Sequence, residues 1–241
     1  MRTKFTTGLH WNNALLLVLA MAACTKSNLP DASHTTTVLD TPPREPGIAS
    51  NLIDLTAYYN ATLTNSWQAL DSDRKRNIGH DLSLLPTGVH TFDGMEFDIR
   101  GIVQLDSRQL RENNPRFPSK VQDIEIRQKC RWLHFLHAAG WYDANNTKVG
   151  AFIVRYADER MEEIPIVYGG NVRGWWKSQN GDPVSPGTTV AWRGKTRSGI
   201  SCQLFRTTWP NPRPAAQILA IDYVSEMKDT APFLVAITAE P

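Results

Sequence analysis

Residues 131–137 carry bulky groups on both sides of an extended chain, Trp132, His134 and Leu136 alternating with Leu133, Phe135 and His137. Successive side chains of a strand point to opposite faces. A strand with large groups on both faces therefore belongs in the middle of a layered β structure. Seven further segments read as strands: residues 95–105, 152–156, 164–168, 189–192, 202–209, 217–224 and 233–238, with Gly, Pro, Asn or Asp in most gaps. About eight strands is the number a jelly roll uses. The pattern predicts an all-β fold, a two-layer antiparallel β-sandwich of the jelly-roll kind over residues 51–241. Within it, alternation places Leu133, Phe135, Leu219, Ile221, Tyr223, Val235 and Ile237 in the core, each set on a single face. Trp132 and Trp192 lie inside strands and are expected in the core as well. Helix is minor, with residues 65–77 the one candidate.

Ahead of this domain, Arg2 and Lys4 give a basic start, residues 14–20 a short apolar core, and Met21-Ala22-Ala23 small residues leading into Cys24. That layout is a cleavable export signal. Its apolar run of roughly 8 to 10 residues is too short for a bilayer, which needs about 20. The run resembles the lipobox of bacterial lipoproteins, with Met21 where Leu is usual. The resemblance implies a signal peptide over residues 1–23, a lipid on Cys24, and a chain anchored to a membrane rather than spanning it. It further implies the bacterial cell envelope, and Thr25 rather than Asp after the cysteine resembles the outer-membrane pattern. Residues 24–50, with Pro30, Pro42, Pro43 and Pro46 among Ser and Thr, read as a flexible tether. Removing residues 1–23 takes away Arg2 and Lys4 and no acid, so 26 basic residues become 24 against 24 acidic. A neutral chain lacks the clustered cations that hold phosphates, which argues against a nucleic-acid partner. The run Arg74-Lys75-Arg76 follows Asp71 and Asp73 and reads as a solvated segment.

Five blocks carry a second resemblance: residues 54–60 (Asp-Leu-Thr-Ala-Tyr-Tyr-Asn), residues 92–101 around Asp93-Gly94, Leu133-His134-Phe135-Leu136-His137, residues 164–169 and residues 231–238. They look like blocks of a largely uncharacterised group of secreted bacterial β-sandwich domains, which resemble galactose-binding-like, carbohydrate-binding modules. The group tends to carry an acidic pair around Val-Arg before Trp-Trp, where this chain has Asn171 and Gly174 flanking Val172-Arg173. The resemblance implies a fold and a class of ligand, a glycan, rather than an activity.

Sugar rings stack on flat aromatic faces while their hydroxyls seek amides, carboxylates and guanidiniums. Trp141-Tyr142 follows one strand, and Trp175-Trp176 sits in a glycine-rich stretch with Asn171 and Arg173. Trp141, Tyr142, Asn171, Arg173, Trp175 and Trp176 are therefore the candidate ligand-binding residues. Packing is the competing role for the tryptophans, and adjacent residues of an extended segment cannot both face the core, so one of Trp175 and Trp176 is expected outside. The expected partner is a glycan or an envelope protein.

Other chemistry has little support. His134 and His137, three apart on a strand, point to opposite faces and cannot share an ion. No Cys-x-x-Cys, His-Glu-x-x-His, Gly-x-Ser-x-Gly or P-loop pattern occurs. Asp93, Glu96, Asp98, Asp158, Glu162, Glu163 and Asp222 are the carboxylates available for hydrolysis, but sequence does not pair them in space. No catalytic residue, metal or cofactor is assigned. With Cys24 lipidated, Cys130 and Cys202 remain in an oxidising compartment, which invites a disulfide between them. Two separately buried thiols are the alternative.

Overall fold

The computed structural model describes residues 39–69, 79–114, 116–176, 182 and 185–241. Asp93 and Gly94 both take positive φ, 50° and 77°, as a two-residue hairpin turn requires. They join β1 (Gly88–Phe92) to β2 (Met95–Ile99) in a separate antiparallel hairpin. The chain continues through β3 (Val103–Gln104), the short helix α1 (Arg108–Asn113), β4 (Lys120–Gln128), β5 (Trp132–Gly140), β6 (Lys148–Tyr156) and β7 (Met161–Val167). Then come β8 (Thr188–Lys195), β9 (Ser201–Pro210), β10 (Ile218–Ser225) and β11 (Ala231–Glu240). Helix α1 starts at Ser107, whose hydroxyl accepts from the Leu110 N–H at 3.1 Å. Among the described residues no helix is long and apolar enough to cross a membrane.

The strands form a β-sandwich of antiparallel pairs, a four-stranded sheet ordered β4-β10-β6-β7 and a five-stranded sheet ordered β3-β11-β5-β9-β8. Between them Leu133, Phe135, Leu234 and Ile237 meet Ile124, Phe152, Val154, Ile164, Ile221 and Tyr223. Phe152 is clasped there between Phe135 and Tyr223, with ring centroids 4.1 and 4.7 Å away. The other face of the five-stranded sheet is buried too. Leu136, Ala138, Leu204, Phe233 and Val235 pack under Phe97 and Ile99 of the hairpin, Leu110 of α1, and Leu63, Trp67, Leu82 and Leu85 of the preceding loops. This double burial explains why residues 131–137 are bulky on both sides.

Several expectations are corrected. Leu219 is 40 % exposed, because a register shift between Ile218 and Ala220 breaks the alternation and leaves Ile218 and Ile221 facing inward. A second shift between Leu234 and Ala236 sends Val235 to the outer core and Ile237 to the inner one, so they do not share a face. Trp132 opens β5 at the end of the sheet and is 39 % exposed, outside the core, while Trp192 is half-buried. Residues 65–69 form turns rather than helix, and 70–77 lie outside the described residues. The expected tether is docked from Leu39 onward. Leu39 packs against the inner core, and Arg44 reaches buried Asp98 at 2.7 Å and the Leu52 carbonyl at 2.6 Å. A buried carboxylate needs such cationic partners to offset its desolvation. Residues 1–38, with the expected signal peptide, Cys24 and the first part of the tether, lie outside the described residues.

Candidate functional site

Leaving β7, the chain makes a tight turn over residues 167–172. The N–H groups of Gly170 and Asn171 donate to the Val167 carbonyl at 3.0 Å each. Asn171 closes the turn with its side chain, accepting from the Val167 N–H at 2.7 Å and donating to the Pro165 carbonyl at 2.8 Å. Gly169, at φ 77°, is required: a Cβ there would lie 2.3 Å from Asn145 Oδ1. The same Asn145 oxygen accepts from Arg173 at 3.2 Å, and Arg173 also donates to the Asp182 carbonyl at 3.3 Å and sits over the Tyr168 ring. Asn171 and Arg173 thus spend their polar groups inside the protein, and Arg173 is buried.

Residues 173–176 then enter the five-stranded sheet. The Ala139 N–H donates to the Arg173 carbonyl at 3.1 Å, the Trp175 N–H to the Ala139 carbonyl at 2.8 Å, and the Gln203 N–H to the Trp175 carbonyl at 2.7 Å. Gly174 bridges Ala139 in parallel and Trp176 bridges Cys202 antiparallel. The segment is a wedge between β5 and β9, which pair directly only up to His137 and Phe205. The sequence offered only glycines here, which signal departure from a strand but not insertion into a sheet.

Insertion fixes the tryptophans. Trp175 is buried against Trp67, at 5.1 Å between centroids, and against Phe233. Its indole N–H donates to Gln68 Oε1 at 3.0 Å, and Gln68 donates in turn to Gln104 Oε1 at 2.9 Å, an oxygen shared with the Trp67 indole at 2.7 Å. Gln104, fully buried, donates to the Leu105 and Pro232 carbonyls. These two glutamines, which sequence reasoning did not single out, hold the foundation of the site. Trp176 is 43 % exposed, with His80 edge-on at 5.2 Å and Trp175 at 5.6 Å. Trp141, at φ 56°, is half-buried against the outer core. Its carbonyl runs beside Gly174, 3.7 Å from where a Cβ would be. Tyr142, next in the chain, is 71 % exposed. Of the six candidates, then, Trp176 and Tyr142 present rings to solvent on adjoining segments, and Trp175, Arg173, Asn171 and half-buried Trp141 support them.

The remaining candidates stay apart. His134 bonds Thr208 and Glu240, while His137 bonds Thr207. No group of three or more His, Cys, Asp or Glu among the described residues could hold a metal ion. The carboxylates are largely engaged by cations: Asp93 with Arg206, Asp222 with Lys120, Glu163 with Lys148, and Asp98 with Arg44 and Arg100. Arg213 holds Asp158 down to about 2. Cys130 and Cys202 are free and buried, which overturns the disulfide. Asn211 touches the Cys130 carbonyl, and Cys202 lies nine residues back along β9, roughly 30 Å away at about 3.3 Å per residue. A bridge needs Cα atoms within about 7 Å. Burial pushes both thiols up to about 11, so they stay protonated and unreactive. A groove of about 590 Å³ lies elsewhere, along β4, lined by Asp54, Tyr58, Glu125 and Arg127 among others. There Tyr58 Oη donates to the Asp123 carbonyl and accepts from the Glu125 N–H, capping open groups of that edge strand. No family model, no curated protein and no solved structure matches this chain.

Proposed function

We propose that the protein is a non-catalytic binding module, held to the bacterial envelope through lipid on Cys24, that presents Trp176 and Tyr142 to a glycan of the envelope. One observation carries the reading: the Trp176 ring is exposed while its backbone is pinned in the sheet and its neighbour Trp175 is locked by stacking and by Gln68. An aromatic face fixed in advance loses little freedom on binding, which is what a stacking platform for a sugar ring requires. The resemblance of the sequence blocks to galactose-binding-like modules points to the same ligand class.

Glycan-array binding by the full-length protein tests it. Trp176→Ala and Tyr142→Ala should each weaken retention about tenfold or more and leave the melting temperature within a degree or two, since exposed side chains contribute little to stability. Unchanged glycan retention in both variants rejects the site, and retention of an envelope protein in place of any glycan rejects the ligand class. For the anchor, Cys24→Ala should move the protein from the membrane fraction to the soluble one. Stable retention takes more than one acyl chain, so mass spectrometry of the mature N-terminus should show a multiply acylated Cys24, and an intact Met1 rejects the anchor.

A further inference from the structure

Trp132, 39 % exposed at the start of β5, lies at the opposite end of that strand from Ala139 and its wedge, seven residues or about 24 Å away at roughly 3.4 Å per residue. Its direct cross-strand neighbours are Glu240 on β11 and Pro210 on β9. Directly opposite side chains sit about 5 Å apart at Cβ, so Glu240 and Trp132 leave the sheet side by side on one face. Two residues on and on the same face, His134 is buried, with its Nε2 2.8 Å from Glu240 Oε2 and its Nδ1 2.9 Å from Thr208 Oγ1.

The protonation of this row follows from its partners. Burial holds the His134 imidazole below its usual range, with Glu240 opposing, so at neutral pH it carries one N–H. An ionised carboxylate only accepts. Nε2 therefore donates to Glu240, Nδ1 accepts, and the Thr208 hydroxyl donates to it. Glu240 Oε2 is pinned to His134, and Oε1 belongs to a side chain about half exposed on the same face as the indole, where it can accept from a ligand. A lone pair of Thr208 Oγ1 is also left over. The row offers an aromatic face plus acceptors, and its complement is a ligand with an apolar face and several donors. Arg206 acts electrostatically on His134, which disfavours an organic cation in the same place.

We propose that Trp132 and Glu240, with His134 as the positioning residue for the carboxylate, form a second glycan-binding platform that takes a neutral pyranose carrying adjacent hydroxyls. The ring stacks on the indole and two hydroxyls donate to Glu240. This site does not depend on Trp176 and Tyr142.

The test uses full-length Trp176→Ala protein, in which the first platform is disabled. Cellohexaose, maltohexaose and chitohexaose are titrated while the Trp132 indole and His134 imidazole resonances are followed, with tetramethylammonium chloride as a competing probe. At least one hexasaccharide should shift both resonances. Adding Trp132→Ala or Glu240→Gln should weaken that binding about tenfold or more, judged by calorimetry on variants whose melting curves match the parent. His134→Gln, which retains a donor for Glu240, should weaken it less than His134→Leu. The proposal is overturned if no hexasaccharide shifts the Trp132 signal, if the Trp132→Ala affinity equals the parent's, or if tetramethylammonium displaces the sugar. Because every titration lacks Trp176, none of these failures bears on the site at the other end of the sheet.

Discussion

His137 lies fully buried beside Phe152, with Nε2 2.8 Å from Thr207 Oγ1, and burial pushes its imidazole down to about 3. The unfolded chain takes up a proton near 6.5 that the folded one refuses. Stability from this residue is thus complete above pH 6.5 and declines as pH falls toward 3, by about 1.4 kcal/mol for each unit of pH. Urea unfolding between pH 7 and 5 should show stability falling with a slope that steepens toward that value, and His137→Gln should reduce it, leaving the smaller share of buried His134. A parent curve as flat as the variant's would mean that the imidazole is protonated inside the fold. The spacing of His134 and His137 excluded a shared metal ion, but their hydroxyl and carboxylate partners come from β9 and β11, 70 or more positions on, and only pairing brings them in.

Register decides which side chains of an element count. Ile221, buried opposite Val154, should cost roughly 2 to 5 kcal/mol on truncation to Ala. Leu219, thrown outward by the bulge, should cost less than about 1 kcal/mol. Urea unfolding of the two variants checks this, and equal losses would place both on one face. The wedge makes a similar demand at Gly140, where a Cβ would lie 2.5 Å from Gln68 Oε1. That amide is held by Gln104 and Trp175, so it cannot step aside freely. Gly140→Ala should lower stability by about 1–3 kcal/mol and shift the Trp175 indole resonance. An unmoved resonance would show that Gln68 does not hold Trp175. β4 escaped the sequence reading because it is an edge strand, and between charged residues only Ile124 and Ile126 are buried on its inner face, with Val121 half-buried beside them.

Across the molecule, the segment before the first strand belongs to the folded unit. Arg44 and Arg100 share Asp98 Oδ2, and Arg100 reaches Asp54 at 2.6 Å, a run of two cations and two anions joining residues 44, 54, 98 and 100. Arg44→Ala leaves Asp98 with one cation and should cost about 1–3 kcal/mol, measured by thermal unfolding. No loss would mean that the arm is not part of the folded unit.

The class of fold was legible in the sequence because short apolar runs broken by turn residues have few stable solutions other than stacked sheets. Residues 131–137 even announced the double burial of β5. The turn at Asp93-Gly94 was equally local, since it needs only two residues that tolerate positive φ. Tertiary structure decided what depends on partners distant in sequence: the bulges that reverse Leu219 and Val235, the separation of Cys130 from Cys202, and which tryptophans see solvent. Adjacency put one of Trp175 and Trp176 outside but did not say which. Trp175 is buried and Trp132 exposed because one is wedged between two strands and the other stands where the sheet ends, and both positions are set by pairings that no stretch of neighbouring residues encodes.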